Sequence, residues 1–333
     1  FCSSFQGAGK SDGDKGAGRA REQNRDFLDD ANPTYIVVLS GDHIYKMNYA
    51  EMIRAHIEKG ADATLAVIEV PWEEAPRFGI LNTKSDDVIT EFVEKPANPE
   101  SNLASMGVYV FTWSVLREAL IEDETNPDSS NDFGKNIVPM LLNQGKKLSA
   151  YRYAGYWKDV GTIASLWETN MDILDRPEEI NLVDRSWRIY SRNPVKPSHF
   201  IGPDASVVNS ALTDGCRIYG NVVHSVLSNS VVVEKGAYVK DCVLFPGVVV
   251  KAGASIERCI VDFGTIIGKD VSAGANVSGE SPYINKKLCS GGICVFERGL
   301  VIKEGAIIPA NSMVDSDLKV APEKSVIEST FRV

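Results

Sequence analysis

Hydrophobic and polar positions follow three different patterns along the chain. Residues 1–30 hold five glycines within the first 18 positions and few apolar residues, a composition that offers no face to bury. Residues 33–175 alternate short apolar runs with helical spacing, the mark of an α/β layer architecture. Tyr35-Ile-Val-Val-Leu39 reads as a buried central strand, Ala63 to Val70 as a second strand, and Phe78–Asn82, Val88–Glu94 and Ser105–Phe111 as further strands. Met52, Ile53 and Ile57 predict a helix over Tyr49–Lys59 with Gly60 as its stop; Ser114–Leu120, Ile137–Asn143 and Thr162–Leu174 read as further helices. From residue 200 the pattern changes to β-branched runs between glycine turns. VLSNSVVVEKGAYVKDC (226–242) is followed directly by VLFPGVVVKAGASIERC (243–259), two aligned units of 17 residues. Apolar residues recur six apart (Leu227, Val233, Val239; Val250, Ile256; Ile260, Ile266; Ile302, Ile308; Val320, Val326), which predicts a left-handed parallel β-helix with Val233, Val239, Val250 and Ile256 facing inward. The expected organisation is therefore a mobile remnant over 1–30, an α/β domain over 31–180 and a hexapeptide β-helix over 195–333.

Composition narrows the functional classes. With 35 Lys+Arg against 45 Asp+Glu, the net charge of -10 argues against a nucleic-acid binder working through a broad basic face. No apolar run reaches the length needed to cross a bilayer. The six cysteines (Cys2, Cys216, Cys242, Cys259, Cys289, Cys294) show no CxxC spacing and fit reduced thiols in a cytoplasmic protein. Aligned Cys242 and Cys259 read as small residues of a coil stack, with no His or second Cys at zinc-site spacing. GAGKS at 7–11 lacks the first glycine of a P-loop, since that position is Ser4.

Candidate chemistry sits at strand ends. Asp42 follows the Tyr35–Leu39 run and Asp159 lies in YWKDVGT, both placed to ligate Mg²⁺ through oxygen, with phosphate oxygens completing its shell. Lys95, delivered to a strand end and followed by Pro96, suits a phosphate; a solvated surface Glu-Lys pair would look the same in isolation.

SGDHIYKMNY, RFGIL, FVEKP, NLASMGVYVF, SSNDFGKN and YWKDVGT occur in this order between Pro33 and Leu174, and together they resemble bacterial glucose-1-phosphate adenylyltransferase (ADP-glucose pyrophosphorylase). The resemblance implies a Rossmann-like nucleotidyltransferase domain followed by the β-helix. It implies ATP and glucose 1-phosphate as substrates, Mg²⁺ as cofactor, and ADP-glucose and pyrophosphate as products for α-glucan synthesis. It assigns Asp42 and Asp159 to Mg²⁺, and Gly79, Glu94, Lys95 and Ser105 to glucose 1-phosphate, with Asp132 and Trp157 lining the sugar pocket. His43 reads as structural. It further implies a homotetramer or a heterotetramer with a related subunit, under allosteric control.

The departures are as specific. The family's GGxGTRL loop is not found, and Asp14 stands where the family has a sugar-phosphate-binding Tyr, beside a retained Lys15-Gly16, Ala20 and Gln23-Asn24. The chain, which begins at Phe1, is therefore expected to be N-terminally truncated and impaired in ATP binding. The alternatives are a nucleotidyltransferase for another sugar or base, a non-catalytic regulatory subunit, or an acyltransferase site on the β-helix using His199 or His224.

Overall fold

The structure, a computed structural model, describes residues 27–191, 194–317 and 323–330. Residues 1–26 of the expected 1–30 remnant, and Val320 of the last hexapeptide pair, lie outside them. Contacts divide the chain into two compact units, residues 1–157 and 158–333.

The first unit is a twisted sheet between two helical layers. Its strands are β1 (Tyr35–Val38), β2 (His43–Tyr45), β3 (Ala63–Glu69), β4 (Gly79–Thr83), β5 (Ile89–Glu94), β6 (Leu103–Thr112) and β7 (Leu148–Arg152). The main sheet runs β5-β4-β6-β3-β7, with β1 also on β6. β3 and β7 are parallel, whereas β6 is antiparallel to β3, β4 and β1. Side chains of β3 alternate between two cores: Ala63, Leu65 and Val67 join Trp113, Leu116 and Leu141 on one face, while Ala66 joins Met52 and Val108 on the other. Coverage on both faces is why the strands read as continuous apolar runs. Helix Tyr49–Lys59 starts on an Asn48 cap and stops at Gly60, whose φ of 53° is a conformation only glycine adopts without strain.

β1 corrects the expectation of a buried central strand. It is half-buried along its length and, among the described residues, pairs only with β6. Ile36 and Val38 pack into one core, Tyr35 and Val37 into the other. An apolar run reports that both faces are covered, not that both edges are paired. The expected helices form as Tyr49–Lys59, Trp113–Thr125, Val138–Asn143 and Ile163–Asp175. β2, β7 and the short strand β8 (Trp157–Asp159) were not read from the sequence. Residues 27–31 form a short helix, where Asp29 accepts two hydrogen bonds from Arg117 at 2.7 and 3.0 Å.

The second unit is a parallel β-helix whose three faces each stack six parallel strands. Inward columns run in register: Ile218, Val233, Val250 and Ile267; Val222, Val239, Ile256 and Ala273; Leu227, Leu244, Val261, Phe296 and Val314. All sit in one buried core, which includes Val233, Val239, Val250 and Ile256 as expected. The pair Ile260/Ile266 is a correction: Val261 and Ile267 point inward instead. A slip of one residue exchanges the two faces of a strand, and both positions here are β-branched, so the spacing alone chose the wrong column. Ile260 is buried nonetheless, under helix Ile163–Asp175, with Trp167, Met171, Val243 and Ile293.

Cys242, Cys259 and Cys294 are buried thiols of this stack. Hydrogen bonding to Cys242 and Cys294, together with burial, holds the Cys259 thiol well above its usual range, which suits packing rather than nucleophilic chemistry.

Since every coil shares this core, Ile256→Ala is expected to lower the unfolding free energy by about 2–5 kcal/mol, read by urea denaturation with circular dichroism. A loss under about 0.5 kcal/mol, the level of an ordinary surface change, would contradict the stacked core.

Candidate functional site

Cross-strand register assembles a polar cluster in the first unit. Gly79 at the start of β4 lies opposite Glu94 at the end of β5, and Ile80 lies opposite Ala104 of β6. Antiparallel pairing therefore brings Ser105, next to Ala104, alongside Gly79. The site needs glycine at 79: a Cβ there would lie 2.5 Å from Phe92 Cζ and 2.8 Å from Glu94 Oε2. Gly134 opens the same space from the other side, since a Cβ would lie 2.8 Å from Glu94 Oε2 and 3.4 Å from Asp132 Oδ1.

Asp132 caps the turn Phe133–Ile137, its Oδ1 accepting from the Lys135 N–H at 2.9 Å. Two carboxylates thus flank Gly134. Burial raises the Glu94 carboxyl above its ordinary 4.5, Lys95 and Lys135 pull it back, and the Asp132 charge raises it further. The Ser105 hydroxyl donates to Tyr109 Oη at 3.4 Å and accepts from the Gly107 N–H at 3.3 Å. Burial pushes the Tyr109 phenol up to about 12, the Ser105 hydrogen bond opposes this, and the charges of Glu94 and Asp132 add to it. Tyr109 also stacks on Phe133, at 5.8 Å between ring centroids.

Lys95 occupies the left-handed region, φ 49°, with its N–H on the Phe78 carbonyl at 3.1 Å. Such a conformation costs a non-glycine residue about 1–2 kcal/mol and here turns the chain out of β5 before Pro96. Its ammonium is exposed and lies 3.9 Å from Glu94 Oε1.

Asp42 is an exposed carboxylate beyond β1, accepting from Ser40 Oγ at 2.8 Å and lying 3.6 Å from His43 Nε2. His43 is fixed by its Nδ1 contact with the Met106 carbonyl at 2.7 Å and by an edge contact with Trp157, ring centroids 5.2 Å apart. Gly107, at φ 66°, lets the chain pass beneath it, because a Cβ would lie 3.1 Å from the imidazole. His43 is thus a positioning residue. Trp157 also edges onto Phe78 at 5.2 Å, and its buried Nε1 has no partner among the described residues. Leaving such a donor unpaired costs about 1–3 kcal/mol.

In the second unit, Asp159 Oδ1 accepts from the Gly161 N–H at 2.8 Å, in a tight turn before helix Ile163–Asp175. His224 was the β-helix candidate for a catalytic base. Its Nδ1 meets Asp241 Oδ1 at 2.5 Å and its Nε2 meets Asp175 Oδ1 at 3.0 Å. Burial lowers its pKa, yet hydrogen bonds and charge from the two carboxylates outweigh that and leave it raised. With both ring nitrogens engaged by carboxylates, His224 fastens helix Ile163–Asp175 to the coils. His199 is exposed.

The first unit thus gathers Gly79, Glu94, Lys95, Ser105 and Asp132, with Tyr109, Phe133 and Gly134 added by the structure. Tyr109 and Phe133 look like core aromatics in the sequence. The available signal was a phenol inside an otherwise apolar strand, which requires a polar partner when buried.

Glu94→Gln tests the electrostatics. Because burial makes the folded state hold the Glu94 proton more tightly than the unfolded chain does, the ionised carboxylate costs stability above its folded pKa, and that cost vanishes below the unfolded value. The variant is expected to melt higher than the native chain at pH 7, with the gap closing as pH falls through the carboxylate range. A gap independent of pH would contradict this environment.

Comparison with known proteins identifies the family. The Nucleotidyl transferase family matches residues 4–176, and the GlmU-like, C-terminal hexapeptide family matches residues 197–296. The glucose-1-phosphate adenylyltransferase of Acetivibrio thermocellus is 47% identical over 303 residues, covering 90% of this chain and 70% of the relative. That of Clostridium perfringens is 56% identical over 232 residues, covering 70% of this chain and 60% of the relative. That of Bacillus cereus is 54% identical over 231 residues, covering 69% and 61%. The chain thus spans 60% to 70% of the length of these relatives. On these matches the chain belongs to the nucleotidyl transferase family, in the group of the glucose-1-phosphate adenylyltransferases.

Proposed function

We propose that the chain acts in nucleotidyl transfer from ATP to glucose 1-phosphate, yielding ADP-glucose and pyrophosphate for α-glucan synthesis. The observation that carries this reading is the cluster of Gly79, Glu94, Ser105 and Asp132 beside the Lys95 ammonium, polar groups gathered with a cation at their rim. In the reaction a phosphate oxygen of glucose 1-phosphate bonds to the α-phosphorus of ATP, and the bond to pyrophosphate breaks with its electron pair leaving on pyrophosphate. The nucleophile arrives as an anion, so no proton need be removed. This suits a site whose one nearby histidine, His43, is occupied in holding the backbone. Catalysis then rests on positioning and charge. Lys95 offsets the sugar phosphate. Glu94 and Asp132 accept from sugar hydroxyls, Ser105 donates, and the Trp157 Nε1–H offers one further donor.

Asp42 and Asp159 are the proposed Mg²⁺ ligands. Both are oxygen donors in short polar turns, the chemistry that this hard cation selects, and the bound ion would offset charge on the phosphates. Asp42 is exposed, with its Oδ1 engaged by Ser40. A cytoplasmic setting fits the buried thiols of the β-helix, and no described helix is long and apolar enough to cross a membrane.

Association into a homotetramer or heterotetramer is proposed from the β-helix. Val232, Val249, Ile266 and Val301 form an in-register, half-buried ladder on one outer face, apolar surface that a partner would cover.

Asp42→Asn and Asp159→Asn are each expected to cut pyrophosphate release at least about 100-fold at saturating Mg²⁺, a loss typical for a group stabilising transition-state charge. Isothermal titration of glucose 1-phosphate should change far less. Rates within a factor of about three of the native chain would remove both residues from the metal site. In sedimentation at micromolar concentration an oligomer is expected, and a monomer would refute assembly through the ladder.

A further inference from the structure

The first unit holds a second concavity, set apart from the sugar-phosphate cluster. It is a cavity of about 610 Å³ lined by Glu69, Trp72, Asn82, Glu100, Asn102 and Arg152, among others, and it shares none of its lining with Gly79, Glu94, Lys95, Ser105, Asp132 or Trp157. That volume is ordinary for a small-molecule site.

Trp72 is 55% exposed, although tryptophan is on average a highly buried residue. Its backbone is pinned: the Ala75 N–H reaches the Trp72 carbonyl at 3.3 Å and the Glu74 N–H reaches the Pro71 carbonyl at 2.9 Å. The indole thus stands on a rigid turn, a preorganised flat surface facing water.

The charges around it select the ligand class. The Arg152 guanidinium is already shared between Asp87 Oδ1 at 2.9 Å and Glu69 Oε1 at 3.4 Å. With Glu100 also lining the cavity, carboxylates outnumber the one cation, which disfavours phosphate or any other anion. A cation would have to approach that same guanidinium. What remains is a mixture of neutral donors and acceptors. Asn102 donates through Nδ2 to the Val70 carbonyl at 2.9 Å, which fixes the amide and leaves Oδ1 as an acceptor. Ser101 Oγ accepts from the Leu103 N–H at 3.0 Å and keeps its O–H to donate. The indole N–H is a further donor. A mixed set of this kind fits groups that both donate and accept, which is the property of a hydroxyl. A flat aromatic face fits the C–H face of a pyranose ring, since its negative quadrupole attracts weakly positive hydrogens.

We propose that this cavity binds a neutral oligosaccharide segment, one pyranose ring lying on Trp72 and its hydroxyls engaging Ser101, Asn102 and Glu100. The proposal goes beyond nucleotidyl transfer and does not depend on it.

The test uses saturation-transfer NMR and isothermal titration of the whole chain with maltotriose and cellotriose, with inorganic phosphate as an anion control. Binding of at least one trisaccharide in the millimolar range is expected. Trp72→Ala should weaken it at least about tenfold, and Glu100→Gln less. Both variants should keep the native melting curve and the native rate of pyrophosphate release, because neither residue touches the sugar-phosphate cluster. Absence of transfer to either trisaccharide, binding unchanged by Trp72→Ala, or displacement of the trisaccharide by inorganic phosphate would each overturn the proposal.

Discussion

The antiparallel register of β5, β4 and β6 is the constraint on which the polar cluster of the first unit depends. One row of pairing sets Glu94 against Gly79, and the Ile80–Ala104 pair then fixes where Ser105 falls. Sliding any of these strands by one residue would turn the site side chains to the opposite face and leave apolar groups in their place. The register also explains the two glycines. Gly79 and Gly134 approach Glu94 from different elements, and a Cβ on either would enter the space of that carboxylate.

Electrostatics follow from this crowding. Glu94, Asp132 and the phenol of Tyr109 share a partly buried space: burial and the Asp132 charge raise the Glu94 carboxyl, and burial with the charges of Glu94 and Asp132 raises the Tyr109 phenol. Lys95 and Lys135 at the rim offset part of that charge and oppose the rise at Glu94. The cluster thus sets hydrogen-bond acceptors in a partly buried space with an ammonium at its rim.

The β-helix depends on a different device, the vertical stacking of equivalent residues in successive coils. Its outer surface is completed by helix Ile163–Asp175, which covers Val243, Ile260 and Ile293. Polar contacts set the position of that helix. The Trp167 indole N–H donates to the Asp241 carbonyl at 2.8 Å, the Arg258 guanidinium lies 4.0 Å from the Trp167 ring centroid, and His224 bridges Asp175 and Asp241. A cation over an indole contributes about 0.5–2 kcal/mol depending on how dry it is. These contacts lie within the second unit, although the family match for nucleotidyl transfer extends to residue 176.

Sequence alone determined the parts that repeat or that carry a motif. Hexapeptide spacing reports a β-helix because each coil must offer an apolar residue to the next, and six ordered motifs named Asp42, Gly79, Glu94, Lys95, Ser105, Asp132, Trp157 and Asp159 as a group. Tertiary structure decided what one-dimensional patterns do not encode. The choice of Val261 and Ile267 over Ile260 and Ile266 for the core turned on strand register between residues of equal apolarity, and the burial of Ile260 turned on a helix almost a hundred positions away in the chain. The single pairing edge of β1 was hidden because face burial and edge pairing are independent properties of a strand. Tyr109 and Phe133 joined the site through the fold of β6 against the Phe133–Ile137 turn, which makes two aromatics of core type into walls for a cluster of charges.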